Sequence, residues 1–291
     1  MNSIDIESKK FLGQPKNFVS IFNALLFDGQ PVLKPEYLKD ENSELVMNVS
    51  SKHVDIIKRY EDGTYLDLFV IESQSYVDPS MVARVMEYEC VARMRYIRQN
   101  FKKHVPMHTR LPMILTVVLY VGESKWNAAK RLSELEIIHP GFEDMFNEFK
   151  LNLIELNTNH KYNTGEKATQ DFFDLLRMIY RKQILKEDLD REFNRDALYF
   201  AYVVTKNKEL LNIYQESEKG DVKVCRALDE MFEESTNKGI QMGIKQGIEQ
   251  GSEKKELEMY QKMMDKGFEI KTIASIFSVS EESIKTLLMR T

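Results

Sequence analysis

The chain has 291 residues, of which 43% are apolar and 30% are charged, with a formal net charge of −5 at pH 7. This composition is typical of a folded globular protein, and the length allows one large domain or one domain with a smaller appendage. The negative charge argues against a protein that coats nucleic acid indiscriminately. The longest apolar stretch, residues 111–121, is shorter than the roughly 20 residues that span a bilayer.

The N-terminal residues lack the basic-then-apolar pattern of a secretory signal. Cys90 and Cys225 are far apart in sequence, and both stand in segments with a helical pattern. They are interpreted as thiols in a reducing compartment rather than as the two halves of a disulfide. These features together predict a cytoplasmic location.

An amphipathic pattern predicts a first helix over residues 16–28, and Pro31 and Pro35 then indicate a loop. Three strands are predicted next, over residues 44–50, 53–60 and 65–74. The dipeptide Asp62-Gly63 separates the second strand from the third. It is typical of a two-residue hairpin turn, so these two strands are predicted to pair antiparallel.

This hairpin predicts which side chains lie together. A two-residue turn makes Asp55 face Val70 across the strand pair. Because side chains alternate along a strand, Asp55, Glu72 and Gln74 are predicted to point to the same side of the sheet. Asp55 and Glu72 become diagonal neighbours, with Cα atoms about 7–8 Å apart. Two carboxylates at that separation can share a hard divalent cation such as Mg²⁺.

The third strand is apolar from Leu68 to Ile71 and ends abruptly in Glu72-Ser73-Gln74. A carboxylate at the end of a buried strand costs desolvation energy and usually has a partner or a function. The alternative is that the strand simply emerges into solvent at Glu72. Asp67 is predicted to point to the opposite face, so it is excluded from the candidate site.

A long helix is predicted from Pro79 to Lys103, with Asp78 as its N-cap. The segment from Arg84 to Arg110 contains seven Lys or Arg residues and two acidic residues. It is interpreted either as the lining of a phosphate-binding groove or as a solvated helix face.

Residues 111–121 are apolar and rich in β-branched side chains, which predicts a strand buried on both faces of a mixed or parallel sheet. Residues 150–156 alternate and predict another strand, and the pattern beyond them is mainly helical. This order predicts an α/β core with a helical extension over residues 1–215, followed by a helical tail over residues 216–291.

The tail contains a repeat in which glycine recurs every four residues, at Gly239, Gly243, Gly247 and Gly251. Glycine weakens a helix by about 1 kcal/mol relative to alanine. The repeat is interpreted either as a semi-flexible linker or as a close-packing face that makes a homo-oligomer. Residues 263–289 predict a helix-turn-helix. Because its second helix opens with two glutamates, a packing or interaction module is favoured over a base-reading one.

Other chemistries lack their motifs in this chain. The sequence contains no His-Glu-x-x-His pair, no phosphate-binding loop ending in Lys-Ser/Thr and no Gly-x-Ser-x-Gly elbow. His104 and His108 are four residues apart, but Pro106 between them breaks a helical pair of metal ligands.

The segment "HVDIIKRYEDGTYLDLFVIESQSYVDPSMVARVMEYE" closely resembles the core of the Rpn proteins (recombination-promoting nuclease, putative transposase), which belong to the PD-(D/E)XK nuclease superfamily. The pattern is an aspartate, a hairpin and Glu-x-Gln, then a methionine and an Arg-x-x-x-Tyr helix. Its positions in this chain are Asp55, Glu72-Ser73-Gln74, Met81, Arg84 and Tyr88. The resemblance continues upstream through "NFVSIFNALLFDGQPVLKPEYL" and downstream to the glycine repeat, so it covers most of the chain.

The resemblance implies a bacterial, Mg²⁺-dependent DNA endonuclease linked to recombination or mobile elements. The implied fold is α/β, a PD-(D/E)XK nuclease-like mixed central sheet flanked by helices, with a helical C-terminal tail. Asp55, Glu72 and Gln74 are the implied catalytic residues. Asp55, Glu72 and the Ser73 carbonyl are the implied metal ligands. Arg84 is expected either to bind a DNA phosphate or to form a buried structural ion pair.

Two positions depart from the pattern of related nucleases. Many have lysine where this chain has Gln74, and a glutamine can hold water but carries no charge, so hydrolysis is expected to be slow. Relatives often have arginine where this chain has Val54. Related nucleases often add a carboxylate from the first helix, for which Asp28 is a poor candidate.

Two alternatives from other classes stay open. The first is a catalytically weak DNA-binding or recombination-accessory protein that keeps the fold. The second is an oligomeric interaction scaffold that acts through the glycine-rich tail.

Overall fold

The computed structural model describes residues 3–41, 56–63, 66–184, 188, 190–217 and 220–289. Within these residues the chain forms a mixed five-stranded sheet with the order β1-β2-β3-β4-β5. The strands are β1 (Leu38–Asp40), β2 (Ile56–Glu61), β3 (Leu66–Gln74), β4 (Ile114–Tyr120) and β5 (Asn152–Glu155). Pairing is antiparallel from β1 to β3 and parallel from β3 to β5. The mixed α/β class is therefore confirmed.

The hairpin between β2 and β3 forms, but its predicted register is wrong. Glu61 pairs with Leu66 rather than with Thr64, and Val70 pairs with Ile57 rather than with Asp55. The shift is by two residues, so it leaves the face on which each β3 side chain lies unchanged. The predicted strand 44–50 lies outside the described residues, as do the first three residues of the predicted strand 53–60.

Strand β4 has the predicted central position. It pairs with β3 on one side and β5 on the other. Val117, Val118 and Leu119 are completely buried, as expected for a strand covered on both faces. The predicted strand over residues 150–156 is confirmed as β5.

Helix α3 (Met81–Asn100) covers one face of the sheet, and it begins later than predicted. Its N-cap is Ser80, not Asp78. The Asp78 carboxylate instead accepts hydrogen bonds from the backbone and hydroxyl of Ser80, at 2.9 and 2.7 Å. Side chains of α3 pack on the even-numbered positions of β3, as shown by the cluster of Tyr88 and Ala92 with Leu68 and Val70.

Helices on the opposite face include α1 (Ser3–Leu12), which the sequence did not predict, and α2 (Pro15–Phe27), which it did. Helices α4 (Lys167–Arg181), α5 (Arg195–Thr205) and α6 (Lys208–Glu216) follow later in the chain. Phe22 of α2 packs against Phe69 of β3, with ring centroids 4.8 Å apart. Aromatic side chains join α1, α4 and α5 through Phe11, Phe172 and Phe200.

A buried ionic cluster fixes α4 to the segment that follows it. Asp171, Asp174 and Asp188 are at most 2% exposed. Arg191 forms ion pairs with all three carboxylates. The cluster adjoins a small sheet of β6 (Glu192–Phe193) and β7 (Val222–Lys223), which the sequence did not predict.

Residues 1–228 and 229–291 form two compact units. Helix α7 (Cys225–Asp265) begins in the first unit and ends in the second. The domain boundary predicted between residues 215 and 216 stays a prediction, since a compact unit need not be an independently folding domain. None of the helices in the described residues is long and apolar enough to cross a membrane. Neither Cys90 nor Cys225 forms a disulfide with any residue that the structure describes, and the buried Cys225 thiol donates a hydrogen bond to the Asp188 carbonyl at 2.9 Å.

The second unit contains the predicted helix-turn-helix. Helix α8 (Ile270–Phe277) is followed by a turn and by α9 (Glu281–Met289). Ile273 and Ile284 are completely buried against Tyr260 of α7. A hydrogen bond from the backbone of Ser283 to the Ser280 hydroxyl, at 3.1 Å, caps α9.

The glycine repeat lies within α7 and is helical. Its glycines are exposed, and a Cβ atom added at any of the four would meet no atom within 4 Å. Ile240, Ile244 and Ile248 are 55%, 58% and 67% exposed. The homo-oligomer and the linker both stay predictions.

Replacing Gly243 with alanine is expected to stabilise α7 by about 1 kcal/mol, because glycine has the higher conformational entropy in the unfolded chain. Thermal unfolding followed by circular dichroism measures the effect. Gly267→Ala is the matched control, since Gly267 has a φ of +88° and alanine there should destabilise by about 1–2 kcal/mol. A less stable Gly243→Ala chain with weakened self-association would contradict the expectation and indicate a packed glycine face.

Candidate functional site

Glu72 and Gln74 lie at the carboxyl end of β3 and are 2% and 6% exposed. The strand therefore does not emerge into solvent at Glu72. Both side chains point to the face that α3 covers, because they alternate with Ser73 and share the parity of Leu68 and Val70. A buried carboxylate at this position must be neutralised or hydrogen-bonded.

The Glu72 carboxylate accepts hydrogen bonds from two neighbouring side chains in the described part of the chain. Its Oε1 accepts a hydrogen bond from Gln74 Nε2 at 2.9 Å and another from Arg84 Nη2 at 3.0 Å. The amide of Gln74 thereby orients the carboxylate, and the guanidinium of Arg84 offsets its charge. The Oε1 atom of Gln74 is buried and has no hydrogen-bond partner among the residues that the structure describes.

Arg84 forms the centre of a buried polar network. Besides Glu72, it binds Asp78 Oδ2 at 2.5 Å and donates twice to the Tyr88 hydroxyl, at 2.9 and 2.7 Å. These bonds use four of the five N–H groups of a guanidinium. The sequence did not identify Asp78 as a member of this network, because its position before a proline is typical of a helix cap.

Electrostatics keep this network charged. Burial alone would lower the pKa of Arg84, but its bonds to Asp78 and Tyr88 and the charge of Glu72 outweigh burial and raise it. Burial would raise the pKa of Asp78, but hydrogen bonds from Ser80 and Arg84 outweigh it and lower it. Burial and the charge of Glu72 raise the pKa of the Tyr88 hydroxyl, which stays protonated at neutral pH.

Ser73 lies on the other face of β3. Its hydroxyl accepts a hydrogen bond of 3.5 Å from Ser8 of α1, and Ser8 is completely buried. The helix that the sequence missed therefore contacts the end of β3 from the side opposite Glu72. Asp67 shares the parity of Ser73, and it accepts a hydrogen bond from the backbone of Met113 at 3.1 Å. Asp28 is exposed at the C-cap of α2.

Asp55 lies outside the described residues. Its neighbour in sequence, Ile56, is the first residue of β2 and pairs with Ile71, the neighbour of Glu72. The predicted juxtaposition of Asp55 with Glu72 stays a prediction.

The carboxyl ends of the parallel strands bring two further side chains to the same edge of the sheet. Tyr120 of β4 pairs with Gln74, and Glu155 of β5 pairs with Tyr120, so the three side chains share a face. Glu155 is 8% exposed and forms an ion pair with Lys130. The sequence did not identify Glu155 because its strand has only four residues and its register with β4 was unknown.

The oxygen atoms at this site suit a hard cation, but a neighbouring positive charge does not. The Glu72 carboxylate and Gln74 Oε1 supply oxygen atoms, which are the ligands or water acceptors that Mg²⁺ sites use. Arg84 competes for the charge of Glu72 and thereby weakens the attraction for a cation. Among the described residues, no group of three or more His, Cys, Asp or Glu side chains could hold a metal ion.

A comparison with protein-family models identifies the family of this chain. A family model described as "Putative transposase, YhgA-like" matches residues 36–210, more than half of the chain. The chain belongs to this family. The match to the YhgA-like family includes Asp55, Glu72, Gln74 and Arg84 and ends before the glycine repeat. No curated protein and no solved structure matches the chain.

Proposed function

We propose that the protein is a Mg²⁺-dependent DNA endonuclease with a PD-(D/E)XK-like core, linked to recombination or mobile elements. One observation carries the proposal. In a chain of the family described as "Putative transposase, YhgA-like", the carboxylate of Glu72 and the amide of Gln74 are buried at the carboxyl end of an apolar strand. Buried polar groups at such a place usually have a function, and DNA is the substrate that a transposase acts on.

The proposed metal ligands are Asp55, Glu72 and the Ser73 carbonyl. When bound there, Mg²⁺ would polarise a phosphoryl oxygen and acidify a bound water. Hard oxygen ligands at the end of a rigid strand suit this ion. The Arg84 guanidinium, held by Asp78 and Tyr88, orients the Glu72 carboxylate.

The proposed role of Gln74 is to hold the attacking water. Its Nε2 donates to Glu72, which leaves Oε1 to accept a hydrogen bond from water. A glutamine cannot take up the proton of that water, so hydrolysis is expected to be slower than in a site with lysine.

A DNA-binding accessory protein with little cleavage activity is the second candidate. The observation that favours it is the ion pair between Arg84 and Glu72, because a cationic side chain already neutralises the proposed metal ligand. Such a protein would bind DNA without Mg²⁺ and would tolerate the loss of the Glu72 charge.

Cleavage of supercoiled plasmid with and without Mg²⁺ tests the proposal, with wild type compared with Asp55→Ala. The expected result is metal-dependent nicking or linearisation by wild type that is lost in the variant. Equal cleavage by wild type and Asp55→Ala would mean that Asp55 is not part of the cleavage site. DNA binding without cleavage by wild type would support the accessory protein instead.

A further inference from the structure

The end of α3 and the loop that follows it carry an uncompensated positive charge. Between Glu89 and Glu123 the sequence contains no Asp or Glu. The exposed cationic side chains in this stretch are Arg98, Lys102, Lys103 and Arg110, and they are called the basic surface below. Within the described residues, no ion pair links any of these four side chains to a carboxylate. In a chain with net charge −5, the basic surface is a local reversal of sign.

The basic surface lies far from the candidate site. Arg84, at the start of α3, contacts Glu72 at the end of β3. The loop after α3 returns to the beginning of β3, where the backbone of Met113 binds Asp67. Arg84 and Arg98 are fourteen positions apart in one helix, which places their Cα atoms about 21 Å apart.

The distance between Arg84 and Arg98 is short enough for one DNA duplex to reach both ends of α3. Successive base pairs rise about 3.4 Å, so about six base pairs cover the distance from Arg84 to Arg98. One duplex can therefore be cleaved at one end of α3 and bound through its phosphates at the other.

We infer that the basic surface binds the phosphate backbone of double-stranded DNA at a distance from the cleavage site. The inference rests on the proposed function for its choice of DNA as partner. The contacts are with phosphates rather than bases, because lysine and arginine side chains on an exposed loop supply charge without a fixed base-reading geometry. The basic surface determines the affinity for DNA, whereas Glu72 and its neighbours carry out the chemical step.

An anionic membrane is the competing partner, since Val105 and Met107 in the same loop are 45% and 86% exposed. DNA is favoured because the match to the family described as "Putative transposase, YhgA-like" extends over this loop.

The test measures binding of a labelled DNA duplex of about 20 base pairs in EDTA, which separates binding from metal-dependent cleavage. The full chain is compared with Arg98→Ala/Lys102→Ala/Lys103→Ala and with the control Lys16→Ala/Lys34→Ala/Lys125→Ala, which removes three exposed charges elsewhere in the first unit. The slope of log K against log salt is negative, and each lost phosphate contact should reduce its magnitude by about 0.9, or by about 2.7 for the triple variant. The control should keep the wild-type slope and affinity.

An unchanged slope in the triple variant, or an equal loss in the control, would overturn the inference. If the triple variant lost binding to phosphatidylserine vesicles but bound DNA as wild type does, the inference would be overturned in favour of a membrane partner. Absence of DNA binding by wild type would overturn it too. Failure of the nuclease proposal is distinguishable, because that proposal is judged by Mg²⁺-dependent plasmid cleavage.

Discussion

Glu72→Gln is expected to reduce Mg²⁺-dependent plasmid cleavage by at least about 100-fold, since even groups that only orient a metal ligand are worth 10–100-fold. The amide keeps an oxygen that can accept from Arg84, and Arg84 keeps its bonds to Asp78 and Tyr88. The variant should therefore fold. Its defect should be in metal binding and chemistry rather than in structure.

Mg²⁺-dependent stabilisation gives a second readout for Glu72→Gln. A ligand at one hundred times its Kd stabilises a folded protein by about 2.7 kcal/mol. Wild type should therefore unfold at a higher temperature in Mg²⁺, and Glu72→Gln should not. Asp67→Asn is the matched control, because it removes a carboxylate from the opposite face of the same strand and keeps an acceptor for Met113. Cleavage by Glu72→Gln at the wild-type rate would exclude Glu72 from the site.

The elements with strong local patterns were the ones that the sequence could predict. Helix α2 and strand β4 formed within a few residues of the predicted bounds, because a periodic or continuous apolar pattern reflects which faces are buried. Helix α1 was missed. Ile4 lies on the same helical face as Phe11 and Leu12, but Ile6 does not, and a polar residue, Ser8, occupies the buried position between them. The helix is stabilised by contacts with distant α5.

The register of the hairpin could not be predicted from the same pattern. A shift of two residues keeps every side chain on its face, so the alternation of apolar and polar residues fits both registers equally. The turn at Asp62-Gly63 favoured the shorter loop, but β3 instead pairs Leu66 with Glu61. The face of Glu72 and Gln74 was predictable, whereas their neighbours across the strand pair were not.

The partners of Arg84 illustrate the same limit. Tyr88 follows Arg84 by one helical turn, so its contact is readable from sequence. The bonds to Asp78 and Glu72 depend on how the loop after β3 turns back over the sheet. Long-range ion pairs of this kind require the tertiary structure.

Asp171→Ala is expected to cost about 3–5 kcal/mol of unfolding free energy, the usual result of removing one partner from a buried ion pair. Asp171 is completely buried. It accepts from Arg191, from Lys167 Nζ at 2.7 Å and from the backbone of Asn194 at 2.6 Å. The substitution leaves two cations and one N–H without this acceptor, and it weakens the attachment of α4 to the segment before α5, where Asp174 still pairs with Arg191.

Chemical denaturation of the full chain measures this loss, and two variants separate charge from packing. Asp171→Asn keeps an acceptor for Asn194 but removes the charge that offsets Arg191, so its loss should be smaller than that of alanine. Asp144→Ala, at an exposed site, should change stability by less than about 0.5 kcal/mol. A loss of under about 1 kcal/mol for Asp171→Ala would mean that Asp174 and Asp188 neutralise Arg191 unaided, because both already bind the same guanidinium.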